Sequence, residues 1–328
     1  MSTDAWPRLS WFSDTYTCYS SAIATWLAHD VADWPGRLNP GLWLTVSDRG
    51  DSLFGFGHFA PSLRAALGLE RRGADDPGEA IEAVAAELDR SGRAIVAGDG
   101  FRLPWHVAFE RVHVPHWFVL ARTAGETVVL DPFACRNELG LQEAARVPVS
   151  LDELSIFGRA LPHGDPVLFL RESLALGGED ETHLDRAFQW FVPGTPGAPR
   201  DLDSIAGPDA ILRLSRHFRE RGQHLDAYRQ ADDLWSVGRH RAFLARFAAE
   251  VAEREADASL TEWIDTHVVP LVRRWGHIPP LLMQARLALQ AGRPASESVA
   301  ETLEDLARLE RAAGEAYPRE GSPADIDA

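Results

Sequence analysis

The sequence predicts an α+β domain followed by an all-helical domain. Up to about residue 175, short apolar runs typical of strands alternate with helical segments. Beyond that residue the apolar side chains recur at helical spacing, and a connector rich in proline and glycine lies at 193–199. We therefore expect an α+β domain at 1–175, a linker region with a short helix at 176–207, a helical domain at 208–317 and a disordered tail at 318–328.

Two helices are predicted early in the chain. Over residues 18–29 the apolar side chains fall on one helical face, and Asp14, Thr15 or Thr17 can serve as the N-cap. A second helical stretch begins at Pro61. The first of these helices opens with a cysteine, so its thiol lies where unpaired backbone N–H groups favour negative charge.

A third helix and a set of strands complete the first domain. Asp76 and Pro77 are typical of an N-cap and a first helical turn, and Gly92 is typical of a C-cap, so a helix is expected between them. The segment 123–126 suits a hairpin turn, and a short helix is expected at 151–157. Strands are expected at 93–97, 107–110, 116–122, 127–130 and 167–171.

The second domain is predicted from helical periodicity alone. No convincing strand pattern occurs beyond residue 175, and no internal repeat of fixed length is evident. Helices are expected at 210–221, 225–234, 239–256, 260–275, 280–291 and 296–316.

Composition narrows the function classes. The net charge of −16 disfavours binding to nucleic acid, and all 33 basic residues are arginine, which excludes lysine chemistry such as Schiff bases. Two cysteines argue against a disulfide framework and fit a reducing compartment. Neither a signal peptide nor a membrane-spanning run is evident, so we expect a cytoplasmic protein that does not bind membranes. We predict no cofactor and no metal.

Three residues have the chemistry of a cysteine nucleophile, its base and an orienting carboxylate. Cys18 opens the first helix, His116 begins a predicted strand, and Asp131 ends the next strand. In an antiparallel hairpin the latter two positions face one another near the open end, so the carboxylate can fix the imidazole tautomer. His116 can then take the proton of the thiol. Cys135 has no such placement.

Each of these residues also has a purely structural interpretation. A lone cysteine is often a small buried apolar residue, and an Asp-Pro pair often just ends a strand. His113 is the competing candidate for the base. Further candidates for the oxyanion hole, the pocket or its apolar cover are Ser13, Tyr16, His58, Trp105, Trp117 and Phe118.

At these residues the sequence resembles the papain-like C39 peptidase group and, within it, the branch of butirosin-biosynthesis protein H. The resemblance covers roughly residues 10–290, with its motifs at 18–24, 116–120, 128–132, 207–214 and 237–247. It implies a papain-like fold with Cys18, His116 and Asp131 as the triad. It also implies an acyltransferase that moves an acyl group from a carrier-protein thioester to an amine in natural-product biosynthesis.

One departure from that pattern bears on the reaction. C39 peptidases carry a glutamine shortly before the cysteine that helps to form the oxyanion hole, and Phe12 occupies that position here. Because a thioester is more electrophilic than an amide, the absence bears more on peptide hydrolysis than on acyl transfer. Three functions stay open: acyl transfer through Cys18, hydrolysis of a peptide or small amide, and a non-catalytic scaffold role in a biosynthetic complex.

The expected partners follow from this chemistry and from the charge. An acyl carrier protein or a small acyl thioester would donate the acyl group to a small-molecule amine, and the overall acidity of the chain suits a cationic acceptor such as an amino sugar. Because carrier proteins are themselves acidic, docking would need a local arginine patch, for which Arg64, Arg71 and Arg72 are candidates. The sequence does not indicate an oligomeric state.

Overall fold

The structure, a computed structural model, describes residues 5–39, 41–57, 67–162, 164–176, 180–194 and 203–318. The chain divides into two compact units, Met1–Leu38 with Ser62–Pro199 and Asn39–Pro61 with Arg200–Ala328. This division differs from the predicted boundary at residue 175. The predicted start of a helix at Pro61 lies outside the described residues, as do most of the predicted connector and all but the first residue of the predicted tail at 318–328.

Helices and strands are numbered along the described chain. The α-helices are α1 (Ala5–Trp11), α2 (Cys18–Leu27), α3 (Trp34–Leu38), α4 (Pro77–Ser91), α5 (Leu154–Phe157), α6 (Pro166–Ser173), α7 (Pro208–Arg221), α8 (Ala231–Glu255), α9 (Ala258–Trp263), α10 (Val269–Trp275), α11 (Ile278–Gln290) and α12 (Ser298–Glu315). The strands are β1 (Thr45–Asp48), β2 (Phe54–Gly57), β3 (Leu69–Ala74), β4 (Arg93–Asp99), β5 (Pro115–Thr123), β6 (Glu126–Asp131), β7 (Cys135–Asn137), β8 (Gly140–Gln142), β9 (Ala145–Pro148), β10 (Phe188–Pro193) and β11 (Ile205–Ala206).

The first unit is built on a six-stranded antiparallel sheet of order β3-β10-β4-β5-β6-β9. Strand β10 corrects two expectations, namely that no strand follows residue 175 and that the described part of 176–207 holds a short helix. Both faces of β10 are buried, with Trp190 on one side and Phe191 on the other. A short run that is apolar on both faces lacks the alternation that distinguishes a strand from a helix.

Helices cover both faces of this sheet. On one face, Val84 and Leu88 of α4 pack with Phe118 of β5 in the main apolar core. On the other face, α2 packs against β4, β5 and β6, and the Tyr19 ring meets the Trp117 ring at a centroid distance of 4.8 Å. Successive residues of a strand point to opposite faces, so Trp117 packs on the α2 side of the sheet and Phe118 on the α4 side.

Local signals predicted several of these elements correctly. The Asp76 side chain accepts the Glu79 N–H, as expected of the α4 N-cap, and Gly92 ends that helix in the left-handed conformation with φ of 76°. The hairpin of β5 and β6 turns at Ala124 and Gly125, within the predicted segment. The predicted strand 93–97 and the short helix at 151–157 are also present.

Two predicted strands of the first unit are wrong. Residues 107–110 form turns, because the His106 carbonyl accepts the Phe109 N–H and closes the backbone on itself. Residues 167–171 lie in helix α6, where the Asp165 side chain caps the Val167 N–H and Pro166 begins the first turn. The same Asp-Pro signal that predicted α4 was present at α6.

The second unit is helical from α7 onward, as predicted for 208–317, but it also contains strands from outside that range. Strands β11, β1 and β2 form a small antiparallel sheet, and the latter two come from the N-terminal part of the chain. The predicted helices 225–234 and 239–256 are instead a 3₁₀ turn, Leu225–Tyr228, followed by the long helix α8. Within the described residues, none of the helices combines the length and apolarity needed to span a bilayer.

Candidate functional site

Cys18 is the first residue of α2, and its helix has a well-formed N-terminal cap. The Thr17 hydroxyl accepts the Ser20 N–H at 3.2 Å, while the Ser20 hydroxyl accepts the Thr17 N–H at 2.7 Å. The structure thus selects Thr17 among the predicted caps. The first backbone N–H groups of a helix have no acceptor within the helix, so those of Cys18 and Tyr19 are candidate donors to a bound oxyanion. The Cys18 side chain is half-buried.

His116 and Asp131 meet as the hairpin prediction requires. His116 Nε2 lies 2.7 Å from Asp131 Oδ2, and both side chains are almost fully buried. Because Val119 pairs with Leu130, Asp131 lies diagonally across from His116 rather than directly opposite. A diagonal neighbour on the same face is within reach of long side chains.

Two further donors hold the Asp131 carboxylate in place. The Trp105 indole donates from Nε1 to Oδ2 at 3.2 Å, and the Phe133 N–H donates to Oδ1 at 3.2 Å. With His116 these contacts use both carboxylate oxygens, so the carboxylate has one well-defined orientation. The sequence predicted Trp105 only as apolar cover, because an indole donor to Asp131 has no local signature.

Cys18 reaches the same imidazole. Burial by itself lowers the pKa of His116, but the charge and hydrogen bond of Asp131, with a further hydrogen bond to Cys18, raise it to about 10. Since Nε2 is bound to Asp131, Nδ1 is the ring nitrogen left for the sulfur. An imidazolium beside a thiol favours the thiolate, which is the nucleophilic form. The structure therefore brings all three predicted residues together.

A second imidazole, which the sequence analysis missed, packs against the first. The rings of His106 and His116 have a centroid distance of 4.4 Å, and the Ala108 N–H donates to His106 Nδ1 at 3.1 Å. Burial, and then the charge of His116, lower the pKa of His106 to about 2. His106 is thus a neutral neighbour that leaves the positive charge on His116.

His113, the competing base, belongs to a different pair. Its Nδ1 lies 2.5 Å from Asp99 Oδ2, and its ring stacks on Phe101. The side chain of His113 is 55% exposed, in contrast to the buried His116. The structure places it outside the cluster of Cys18, His116 and Asp131.

The other predicted pocket residues have packing contacts of their own. Trp117 is fully buried on the α2-facing side of the sheet, where its ring meets that of Tyr19, and Phe118 lies in the core on the opposite side. Tyr16 is fully buried and packs in an aromatic cluster with Phe12 and Trp34. Ser13 lies in a 3₁₀ turn, and its carbonyl accepts the Ala134 N–H. His58 lies outside the described residues.

The predicted arginine patch is also corrected. Arg71 is buried in β3 and lies 3.6 Å from Glu172, so it cannot serve an external partner. Arg72 is exposed and pairs with Glu70 at 3.0 Å. Arg64 lies outside the described residues.

Among the described ranges, no group of three or more histidine, cysteine or acidic side chains is arranged to hold a metal ion. Cys135 is buried in β7, and neither cysteine forms a disulfide.

Comparisons with known proteins add no family assignment. A scan against protein-family models and a search of curated proteins both find no match to this chain.

Proposed function

We propose that the first unit is a papain-like cysteine acyltransferase in which Cys18 carries the acyl group, His116 moves the proton and Asp131 holds the imidazole. The observation that carries this proposal is the contact of Cys18 with a buried histidine that is bonded to a buried aspartate. These groups provide a nucleophile, a base and an orienting carboxylate. A thiol-bearing helix packed on an antiparallel sheet suits the papain-like arrangement.

The proposed reaction uses Cys18 as the nucleophile and His116 as the proton carrier. His116 takes the proton of the Cys18 thiol, and the sulfur attacks a thioester carbonyl; the donor C–S bond breaks, and the released thiolate takes the proton back from His116. An amine then attacks the acyl-Cys18 carbonyl, gives its proton to the neutral His116, and the Cys18 sulfur leaves and takes that proton. The products are an amide and the donor thiol, and the enzyme returns to its starting form.

The oxyanion site favours a thioester over an amide as the acyl donor. The backbone N–H of Cys18 is available at the start of α2, where the helix dipole also favours negative charge. Phe12, in the position of the glutamine of C39 peptidases, is buried among aromatic rings and offers no donor. A site with fewer oxyanion donors suits the more electrophilic substrate.

Intact mass spectrometry tests the proposal. The protein is mixed with N-acetylcysteamine thioesters of several acyl groups, with and without a small amine. The wild type and the matched control Cys135→Ser should gain the acyl mass, whereas Cys18→Ser should not. Asp131→Asn should slow the mass gain roughly 10³-fold or more, by analogy with serine proteases.

The fate of the label distinguishes the candidate reactions. Amide formation on addition of the amine supports transfer, whereas release of the free acid at the same rate with or without amine supports a hydrolase. A mass gain that persists in Cys18→Ser, or that is absent with every thioester, contradicts the proposal and favours the scaffold role.

A further inference from the structure

A buried carboxylate on α6 has a role that the triad does not explain. Glu172 is 2% exposed and accepts two hydrogen bonds from neutral side chains. Its Oε1 accepts the Tyr19 hydroxyl at 2.7 Å, and its Oε2 accepts the Trp117 indole N–H at 2.9 Å. Hydrogen bonds to an ionised acceptor are among the stronger ones in proteins.

The two donors are the chain neighbours of the candidate nucleophile and base. Tyr19 directly follows Cys18 in the first turn of α2, and Trp117 directly follows His116 in β5. Their rings also contact each other edge to face at a centroid distance of 4.8 Å. One carboxylate therefore ties the helix that carries the thiol to the strand that carries the imidazole.

Glu172 is itself anchored to the sheet by Arg71 of β3. Arg71 donates to the Glu172 carbonyl at 2.8 Å and to Gln189 Oε1 of β10 at 2.8 Å. Its guanidinium lies over the Phe191 ring, 4.8 Å from the centroid, and faces the Glu172 carboxylate at 3.6 Å. The carboxylate thus has a fixed position with respect to β3 and β10.

The protonation of Tyr19 suits its role as donor. Burial, followed by the charge of Glu172, raises the pKa of Tyr19 well above its ordinary value. The hydroxyl therefore keeps its proton and can continue to donate. A buried ion pair is by itself weak evidence for stability, so the placement of these donors is the more informative feature.

We propose that Glu172 is a positioning residue, which sets the separation of Cys18 and His116 by holding the residue after each. The inference rests on the proposed function, because it takes the Cys18–His116 pair to be the reactive pair. On this proposal, a residue of α6 fixes the separation that the sulfur and the imidazole need in order to react.

The rate of Cys18 alkylation by iodoacetamide, measured across pH in the full-length protein, tests this inference. Peptide mass spectrometry separates Cys18 from Cys135, and the buried Cys135 reports any general opening of the first unit. Glu172→Gln, which keeps a single acceptor, should slow Cys18 alkylation roughly tenfold or more and move the pH midpoint of the reaction. Glu310→Gln, which alters a buried ion pair of the second unit, is the matched control and should change neither.

The two hydrogen bonds that Glu172 accepts can be tested separately. Tyr19→Phe removes only the Oε1 hydrogen bond, and Trp117→Phe removes only the Oε2 hydrogen bond; each should slow Cys18 alkylation without exposing Cys135. Because Tyr19→Phe and Glu172→Gln act on the same contact, their effects should not add in the double variant. Tyr19→Phe and Trp117→Phe still test the proposal if Glu172→Gln fails to fold.

The outcomes separate this inference from the proposed function. If alkylation of Cys18 in the wild type is unaffected by His116→Asn, the proposed function fails. If His116→Asn abolishes the enhanced reactivity but the Tyr19, Trp117 and Glu172 variants keep the wild-type rate and pH midpoint, the positioning role of Glu172 is wrong. Alkylation of Cys135 in step with Cys18 would show a merely structural role and also overturn it.

Discussion

The two units each contain a buried arginine–glutamate pair, and the two carboxylates are used differently. In the first unit, Glu172 accepts from Tyr19 and Trp117 in addition to its contact with Arg71. In the second unit, Glu310 Oε1 accepts from Arg241 at 2.5 Å, while Glu310 Oε2 has no partner among the described residues. Burial raises the pKa of Glu310 and Arg241 opposes the shift.

The difference shows that the role of a buried ion pair depends on the groups that contact it. Arg241 links α8 to α12 and donates to the Leu42 carbonyl at 2.6 Å, so its pair joins segments of the second unit. The pair of Glu172 extends through neutral donors to the residues beside Cys18 and His116. Similar charges therefore have a local packing role in one unit and a proposed positioning role in the other.

The largest expected effect comes from breaking each pair. Glu172→Ala and Glu310→Ala should each lower the free energy of unfolding by about 3–5 kcal/mol, because each leaves a buried guanidinium without its counter-charge. Hydrogen exchange followed by mass spectrometry should localise the loss to the unit that carries the substitution. A decrease in the free energy of unfolding of less than about 1 kcal/mol in either variant would contradict the view that each buried guanidinium depends on its carboxylate.

A further effect, due to His116 of the first unit, should appear with pH. The folded-state pKa of His116 is about 10, above its ordinary value of 6.5, so the folded protein holds a proton that the unfolded chain releases. The resulting stabilisation is complete below pH 6.5 and is lost as the pH rises toward 10. The loss should be on the order of 1.4 kcal/mol for each pH unit between these two pKa values.

Urea denaturation of the wild type and of His116→Asn at several pH values measures this effect. The difference in unfolding free energy between the two proteins should shrink as the pH rises above 6.5. Parallel pH dependences would rule out the raised pKa, and with it the charged form of His116.

The smallest effect concerns the indole that orients Asp131. Trp105→Phe keeps an aromatic ring against Phe118 and Phe157 but removes the donor to Asp131 Oδ2. One hydrogen bond of about 1 kcal/mol corresponds to roughly a fivefold slower acylation of Cys18. Trp190→Phe, at a buried tryptophan of the core, is the control and should leave the rate unchanged. Equal rates in both variants would mean that Trp105 does not orient the carboxylate.

The correct predictions concern features whose causes are close together in the chain. The start of α2 at Cys18, the caps of α4 at Asp76 and Gly92, and the hairpin that joins His116 to Asp131 depend on a few neighbouring residues. Capping and turn chemistry act over three or four residues, so their signals are visible in the sequence. Local signals placed Cys18 at a helix start and paired His116 with Asp131 in a hairpin, and the order of these elements joined them into one candidate triad.

The incorrect predictions concern features that depend on distant pairing. Strand β10 lies between β3 and β4 in the sheet, although strands β5 to β9 separate it from them in the sequence. Its residues are buried on both faces, so no alternation of apolar and polar residues marked it as a strand. Strands β1 and β2 were not predicted. The strand that completes their sheet, β11, follows almost the whole first unit in the sequence.

By itself, the sequence determined the thiol at a helix start, the histidine–aspartate hairpin, the acidic and lysine-free composition, and the helical character of the C-terminal region. Only the tertiary structure decided which side chains stabilise that arrangement: His106 against His116, Trp105 on Asp131, and Glu172 on both Tyr19 and Trp117. The last of these contacts joins residues that are 153 and 55 positions apart. The physical reason is that such contacts form only when the whole sheet and its helices have assembled, and no local preference of the backbone encodes them.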